Sequence, residues 1–201
     1  MKKVITISRE FGSGGRTVGK LVAEKMGYKY YDKEIIEKVA EETGFSKAYI
    51  SQRGEHSPTA SMFSYSFMGR AQDGLSTDDY LFSVQRKIIL KLAEEGNCVI
   101  VGRCADYVLR EHPGLLSLFV TASEEDRLGR LMKCCDKGEK ECRNMIATSE
   151  RKRASYYNYY SFKAWGAAES YDLTLNSSVF GIEGCADMVV AALEKKLNQK
   201  L

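Results

Sequence analysis

The stretch Val4-Ile5-Thr6-Ile7-Ser8-Arg9-Glu10-Phe11-Gly12-Ser13-Gly14-Gly15-Arg16-Thr17 decides the fold. Val4 to Ile7 is a short β-branched run that stops at the glycine cluster Gly12-Ser13-Gly14-Gly15. Behind it, Val18, Leu21, Val22 and Met26 fall on one face of a helical pattern, with Gly27 just past its end. Strand, glycine loop and helix, in that order, open a parallel α/β domain.

Glu10 to Thr17 is also a variant of the phosphate-loop pattern G-x-x-x-x-G-K-[ST], with Glu10 at the first glycine and Arg16 at the lysine. In such a loop, glycines let consecutive backbone N–H groups converge on one concavity, and the helix behind adds its positive end. Gly12, Ser13, Gly14, Gly15, Arg16 and Thr17 are therefore the candidate ligands of a nucleoside triphosphate, ATP or another NTP. Arg16 would reach the outer phosphates, and the Thr17 hydroxyl is placed for Mg²⁺. Arginine keeps the positive charge and offers a fork of donors that lysine lacks. A carboxylate at position 10 repels polyphosphate unless Arg9, Arg16 or a metal ion offsets it. The competing reading is a glycine-rich turn with no ligand; the strand before the loop and the helix after it are the context that anion binding requires.

Outward from this segment, strands and helices alternate. Tyr28 to Tyr31 reads as a brief strand, and Asp32 is placed to cap a helix carrying Ile35, Ile36 and Val39. A strong helix runs from Thr77 through Leu81, Val84, Ile88 and Leu92 to a stop at Gly96. Cys98 to Val101 is a buried-strand run that ends at Gly102-Arg103, and Leu115 to Val120 is another. Ser123-Glu124-Glu125-Asp126 is a capping box that opens a further helix. Tyr171 to Leu175 reads as the last strand and Ile182 to Leu197 as the last helix. Two regions, 46–76 and 134–165, break the pattern. The expectation is one α/β domain over residues 1–201, a parallel sheet of about five strands with helices on both faces and two peripheral flaps.

Composition agrees with a globular chain: 201 residues, 44% hydrophobic, 28% charged, and a net charge of +3. That charge suits a local anionic pocket better than a surface coated for duplex DNA. No apolar stretch approaches the roughly 20 residues of a membrane span. The N-terminal apolar run is too short for a secretory signal, so the six cysteines read as reduced thiols and a cytoplasmic location is expected. Cys134, Cys135 and Cys142 offer no C-x-x-C pair and no fourth zinc ligand. His56 and His112 stand alone.

The chain resembles the cytidylate kinase-like family of P-loop nucleoside monophosphate kinases along nearly its whole length. The segments that carry the likeness are Ile5 to Arg16, Tyr30-Tyr31-Asp32, Cys98 to Asp106 and Thr121 to Arg127. The resemblance implies phosphoryl transfer from Mg-ATP to a nucleoside monophosphate or similar small acceptor. It implies acceptor binding by Asp32, Lys38, Gly102 and Arg103, and closure of Arg127, Arg130 and Arg153 over the transferring group together with Arg16. Residues 46–76 would be the acceptor-side flap and 134–165 the lid, excluding water from the reaction. Cys104 stands where the family has an aspartate, and Ala154 where it has the acid of an Arg-Asp motif. The phosphate machinery is largely kept, while the groups that read cytosine are not.

Duller alternatives accompany these assignments. Arg127 and Arg130 could make surface ion pairs, Asp32 could be a helix cap alone, and Lys38 a solvated helix lysine. The tract Arg151 to Tyr160 could stack single-stranded RNA, although the small net charge favours a lid helix. A nucleotide-binding sensor that kept the loop and lost catalysis is the second functional reading. The expected partners are small-molecule nucleotides, with no membrane and no nucleic acid; a homodimer through the tyrosine-rich face is left open.

Overall fold

The computed structural model describes residues 2–53 and 76–198. Five strands form one parallel sheet in the order β2-β3-β1-β4-β5. They are β1 (Val4–Arg9), β2 (Lys29–Tyr31), β3 (Cys98–Val101), β4 (Leu115–Thr121) and β5 (Leu173–Asn176). Around them lie α1 (Gly15–Met26), α2 (Lys33–Thr43), α3 (Lys47–Arg53), α4 (Thr77–Glu95), α5 (Ala105–Val108), α6 (Glu124–Cys134), α7 (Glu139–Ser161) and α8 (Ser177–Asn198). The register sets Ile5 beside Val99 of β3 and Leu116 of β4.

Alternation along the strands sends side chains to two separate cores. Val4, Cys98 and Ile100 join Ile35, Val39, Leu81, Val84 and Ile88 on the face covered by α2 and α4. Ile5, Ile7, Val99 and Val101 join Val18, Val22, Val189 and Leu193 on the face covered by α1 and α8. The central strands are thus buried on both sides, which is why they read as unbroken apolar runs.

Several expectations are corrected. Residues 139–161, expected to be irregular outside a lid helix over Arg151 to Tyr160, are a single 23-residue helix. Its buried positions, Cys142, Ile146, Arg153, Tyr156 and Tyr157, do follow helical spacing. Arginine and tyrosine carry that stripe instead of leucine and isoleucine, so an apolar count passes over it. Tyr156 and Tyr157 are buried, and Tyr160 stacks on Phe82 with ring centroids 3.8 Å apart, so these rings are spent on packing. The last strand begins at Leu173, and α8 is two helices joined at Gly181, whose backbone is not helical; the second follows Gly181 as expected, and the short piece before it was not foreseen. Of the segment 46–76, residues 54–75 lie outside the described residues. Among the described residues, no helix is long and apolar enough to cross a membrane.

Candidate active site

Parallel pairing brings the C-terminal ends of all five strands to one edge, where open α/β sheets bind ligands. The glycine loop leaves β1 there. Glu10 N–H donates to the Val120 carbonyl at 3.0 Å, and the backbone then turns through Gly12 at φ +83° and Gly14 at φ +80°. Glycine alone adopts these angles without strain. A methyl group at Gly12 would sit 2.9 Å from the Arg127 carbonyl oxygen, and one at Gly14 would collide with Ile182 Cδ1.

The outward carbonyls of the loop are held by side chains. Arg130 Nη1 donates to the Gly12 carbonyl and to Ser177 Oγ, both at 3.1 Å. Ser177 Oγ in turn donates to the Ser13 carbonyl at 2.7 Å. The start of α1, whose first-turn amides have no partner within the helix, then lines a cleft of about 490 Å³. Gly12, Gly14, Gly15, Arg16 and Thr17 share its wall with the cations Arg9, Arg130, Lys133 and Arg153. Ser13 is buried beneath the loop, its hydroxyl donating to the Glu10 carbonyl at 3.0 Å.

Glu10, the expected electrostatic difficulty, also lines the cleft, but its carboxylate is held at the end of β4. Its Oε2 accepts from Thr121 Oγ1 at 2.6 Å and from Ala122 N–H at 3.0 Å, and Arg127 Nε lies 3.7 Å away. Arg127 offsets the carboxylate, where Arg9, Arg16 or a metal had been expected. The same arginine pairs with Glu150 of α7 and is buried. Arg127 is therefore engaged from both sides and does not line the cleft; it braces the loop.

Arg16 is tied differently. Its Nε lies 2.8 Å from Asp32 Oδ2 and its Nη2 3.4 Å from Oδ1, a two-point contact. The Asp32 side chain makes no capping hydrogen bond to α2, contrary to expectation. Glu34 Oε2 instead accepts from Asp32 N–H at 2.8 Å.

A second cleft of about 440 Å³ adjoins the first. Arg16, Lys33, Lys47, Arg103 and Arg153 contribute its charge, with Glu37 the acid on its wall, itself 2.7 Å from Lys47. Arg16 and Arg153 line both clefts. Lys38 does not take part. It lies on an exposed face of α2 and acts on Glu95, beside the strand N-termini. Lys33, Lys47 and the cleft-lining role of Arg9 escaped the sequence reading. Lys33 lies two residues past the C-terminal end of β2, whereas Lys38 is five residues further along a helix that rises about 1.5 Å per residue.

Arg103 sits in a turn of three left-handed residues, Gly102 at φ +73°, Arg103 at +62° and Cys104 at +52°. Such angles cost a non-glycine residue about 1–3 kcal/mol, so packing must hold them. A methyl group at Gly102 would meet the Arg9 guanidinium. The buried Gln85 amide of α4 reaches the Arg103 carbonyl at 3.4 Å and the Tyr156 hydroxyl at 2.7 Å. Cys104 packs into the aromatic cluster of Phe119, Tyr156, Tyr157 and Tyr171. Asp106, buried below, accepts a 2.7 Å hydrogen bond from Tyr157. Burial pushes its carboxyl above the usual range, partly opposed by that bond. Arg153, one turn before these tyrosines, donates to the Arg9 carbonyl at 3.0 Å and lies over the Phe11 ring. The C-terminal half of α7 is thereby bolted to the sheet edge. Among the described residues, no three His, Cys, Asp or Glu side chains gather as a metal site, the three cysteines 134, 135 and 142 included.

Known proteins resemble this chain in sequence and fold. A cytidylate kinase from Archaeoglobus fulgidus is 28% identical over 196 residues, spanning 96% of this chain and 95% of that protein. One from Pyrococcus horikoshii is 29% identical, spanning 96% and 89%. A crystal structure of an uncharacterized protein from Eubacterium ventriosum superposes with a TM-score of 0.74 at 26% identity, over 96% of this chain and 99% of that one. Shikimate kinase from Bacteroides thetaiotaomicron shares the fold, with a TM-score of 0.57 at 17% identity over 96% and 99%. The profile of the cytidylate kinase-like family matches residues 4–179, which include all five strands and the glycine loop, and the chain belongs to that family.

Proposed function

We propose that the chain transfers the terminal phosphoryl group of ATP, bound with Mg²⁺, to a small anionic acceptor of the nucleoside monophosphate type. The observation that carries this reading is the adjacency of two basic clefts that share Arg16 and Arg153. One is a glycine-loop cradle suited to a polyphosphate; the other is a pocket suited to a phosphorylated acceptor. Relatives named cytidylate kinase support the same reaction class.

The residues fit the donor. The cradle has no room for a Cβ at Gly12 or Gly14, and Thr17 is exposed at the head of α1. Backbone N–H groups of the loop and of the first turn of α1 would take the phosphates, and Thr17 Oγ1 would face the metal. Held there, Mg²⁺ would supply neutralisation of the negative charge on the phosphates during transfer. Arg130 holds the loop in shape through the Gly12 carbonyl. Arg103, Lys33 and Lys47 would bind the acceptor's phosphate, and Arg153 and Arg16 would stabilise the transferring group between the two clefts.

Phosphoryl transfer depends on positioning and charge neutralisation more than on covalent help, and this constellation offers both. The test is ADP release with Mg-ATP and a panel of nucleoside monophosphates and other phosphorylated or carboxylated acceptors. Acceptor-dependent ADP supports a kinase. Tight Mg-ATP binding without turnover on any acceptor would instead favour a nucleotide sensor.

A further inference from the structure

The family resemblance makes Asp32 an acceptor ligand, but its carboxylate is occupied elsewhere. Both oxygens face the Arg16 guanidinium, at 2.8 Å from Nε and 3.4 Å from Nη2. The Asp32 side chain is only 10% exposed, while that of Arg16 is 52% exposed. The pair thus has a fixed end and a reaching end. Asp32 stands at the N-terminus of α2, where an aspartate ordinarily caps the helix, yet it makes no capping bond. Its carboxylate has been diverted to the arginine.

Tertiary packing delivers this encounter. Tyr30 packs at Gly19, where a methyl group would lie 3.2 Å from the ring, and its hydroxyl donates to the Arg16 carbonyl at 3.5 Å. The end of β2 is thereby drawn against the head of α1. Arg16 lines the donor cleft, the acceptor cleft and a third cleft that also contains Thr17 and Asp32.

We infer that Asp32 is a positioning residue that orients Arg16 for phosphoryl transfer, and not an acceptor ligand. A guanidinium has two usable edges. Asp32 takes the Nε–Nη2 edge, and the Nη1 edge remains for a phosphoryl oxygen. A lysine could not be held and still present donors in this way, which gives a physical reason for arginine at this place in the loop. The inference rests on the functional reading above.

The test is a double-mutant cycle on turnover, run with Mg-ATP and the acceptor that releases most ADP in the panel, beside calorimetric titration of Mg-ADP. Asp32→Asn should lower kcat about tenfold or more with the acceptor KM changed by less than about threefold, and Asp32→Glu should recover part of the loss. In an Arg16→Ala background, Asp32→Asn should cost nothing further. An acceptor KM raised by Asp32→Asn at unchanged kcat would make Asp32 an acceptor ligand and overturn the inference. So would losses that add across the cycle. Loss of Mg-ADP binding and folding together in both Asp32 variants would show a structural role only and would also overturn it. A wild-type chain with no turnover on any acceptor would remove the functional reading itself, a result distinct from normal turnover with an additive cycle.

Discussion

The Tyr157 hydroxyl of α7 donates a 2.7 Å hydrogen bond to Oδ2 of Asp106, the second residue of α5. It ties α7, which carries Arg153, to the helix that directly follows the left-handed Arg103 turn. Two cations of the acceptor cleft therefore share one buried support. Any lid closure in 134–165 would be confined to the part of the segment N-terminal to Arg153.

Tyr157→Phe should strip the buried carboxylate of this donor. The expected cost is about 1–3 kcal/mol of folding stability, read from urea denaturation.

Asp106 also has a pH signature. Its carboxyl is raised above its ordinary 3.8 by burial, so the folded state holds this proton more tightly than the unfolded chain does. The stabilisation is complete below about 3.8 and is lost as pH rises through the higher folded value. The stability of the wild type relative to Asp106→Asn should therefore fall as pH climbs from about 4. Denaturation curves of both proteins at several pH values measure it, and a wild type that gains stability relative to Asp106→Asn as pH rises would contradict the assignment.

Arg127→Ala should act on the fold. It leaves two half-buried carboxylates, Glu10 and Glu150, without their shared cation, which should cost about 1–3 kcal/mol. Thermal unfolding should show a fall in Tm. Activity at low temperature should track the folded fraction.

Gly14→Ala should abolish Mg-ATP binding while the sheet stays folded, checked by calorimetry and circular dichroism. The substitution meets Ile182 Cδ1 and a φ of +80° together. Adding Ile182→Ala removes the clash and leaves the strained angle, so recovery should be partial at most.

The acceptor cleft separates neighbouring lysines. Lys33→Gln and Lys47→Gln should each raise the acceptor KM severalfold, about 1 kcal/mol of lost binding. Lys38→Gln should change it by less than about twofold. Steady-state kinetics on the three variants distinguishes this arrangement from one in which Lys38 holds the acceptor.

Much of the molecule was legible because short-range rules govern it. The β-branched run at Val4 to Ile7, the glycine loop and the stripe of α1 each follow from local backbone preference and periodicity. Half of the capping box at Ser123 is observed: Ser123 Oγ accepts from Asp126 N–H at 3.2 Å, while Ser123 N–H donates to Ser178 Oγ at 2.8 Å instead of to Asp126. Helix α7 was read only over Arg151 to Tyr160, as a lid helix; its full length was missed because its buried stripe uses Arg153, Tyr156 and Tyr157, residues whose polar ends hide their burial in any hydropathy pattern.

What the sequence determined by itself is the order of strands and helices, and with it the edge at which the glycine loop and Arg103 emerge. Periodicity and turn chemistry act over a few residues, and those elements needed nothing more. Only tertiary structure decided which charges meet. Arg127 was drawn to Glu10 and Glu150, Asp32 to Arg16, and Lys33 instead of Lys38 to the cleft. Such pairings join residues distant in the chain, and their partners are chosen by how helices pack on a finished sheet, which local sequence pattern does not encode.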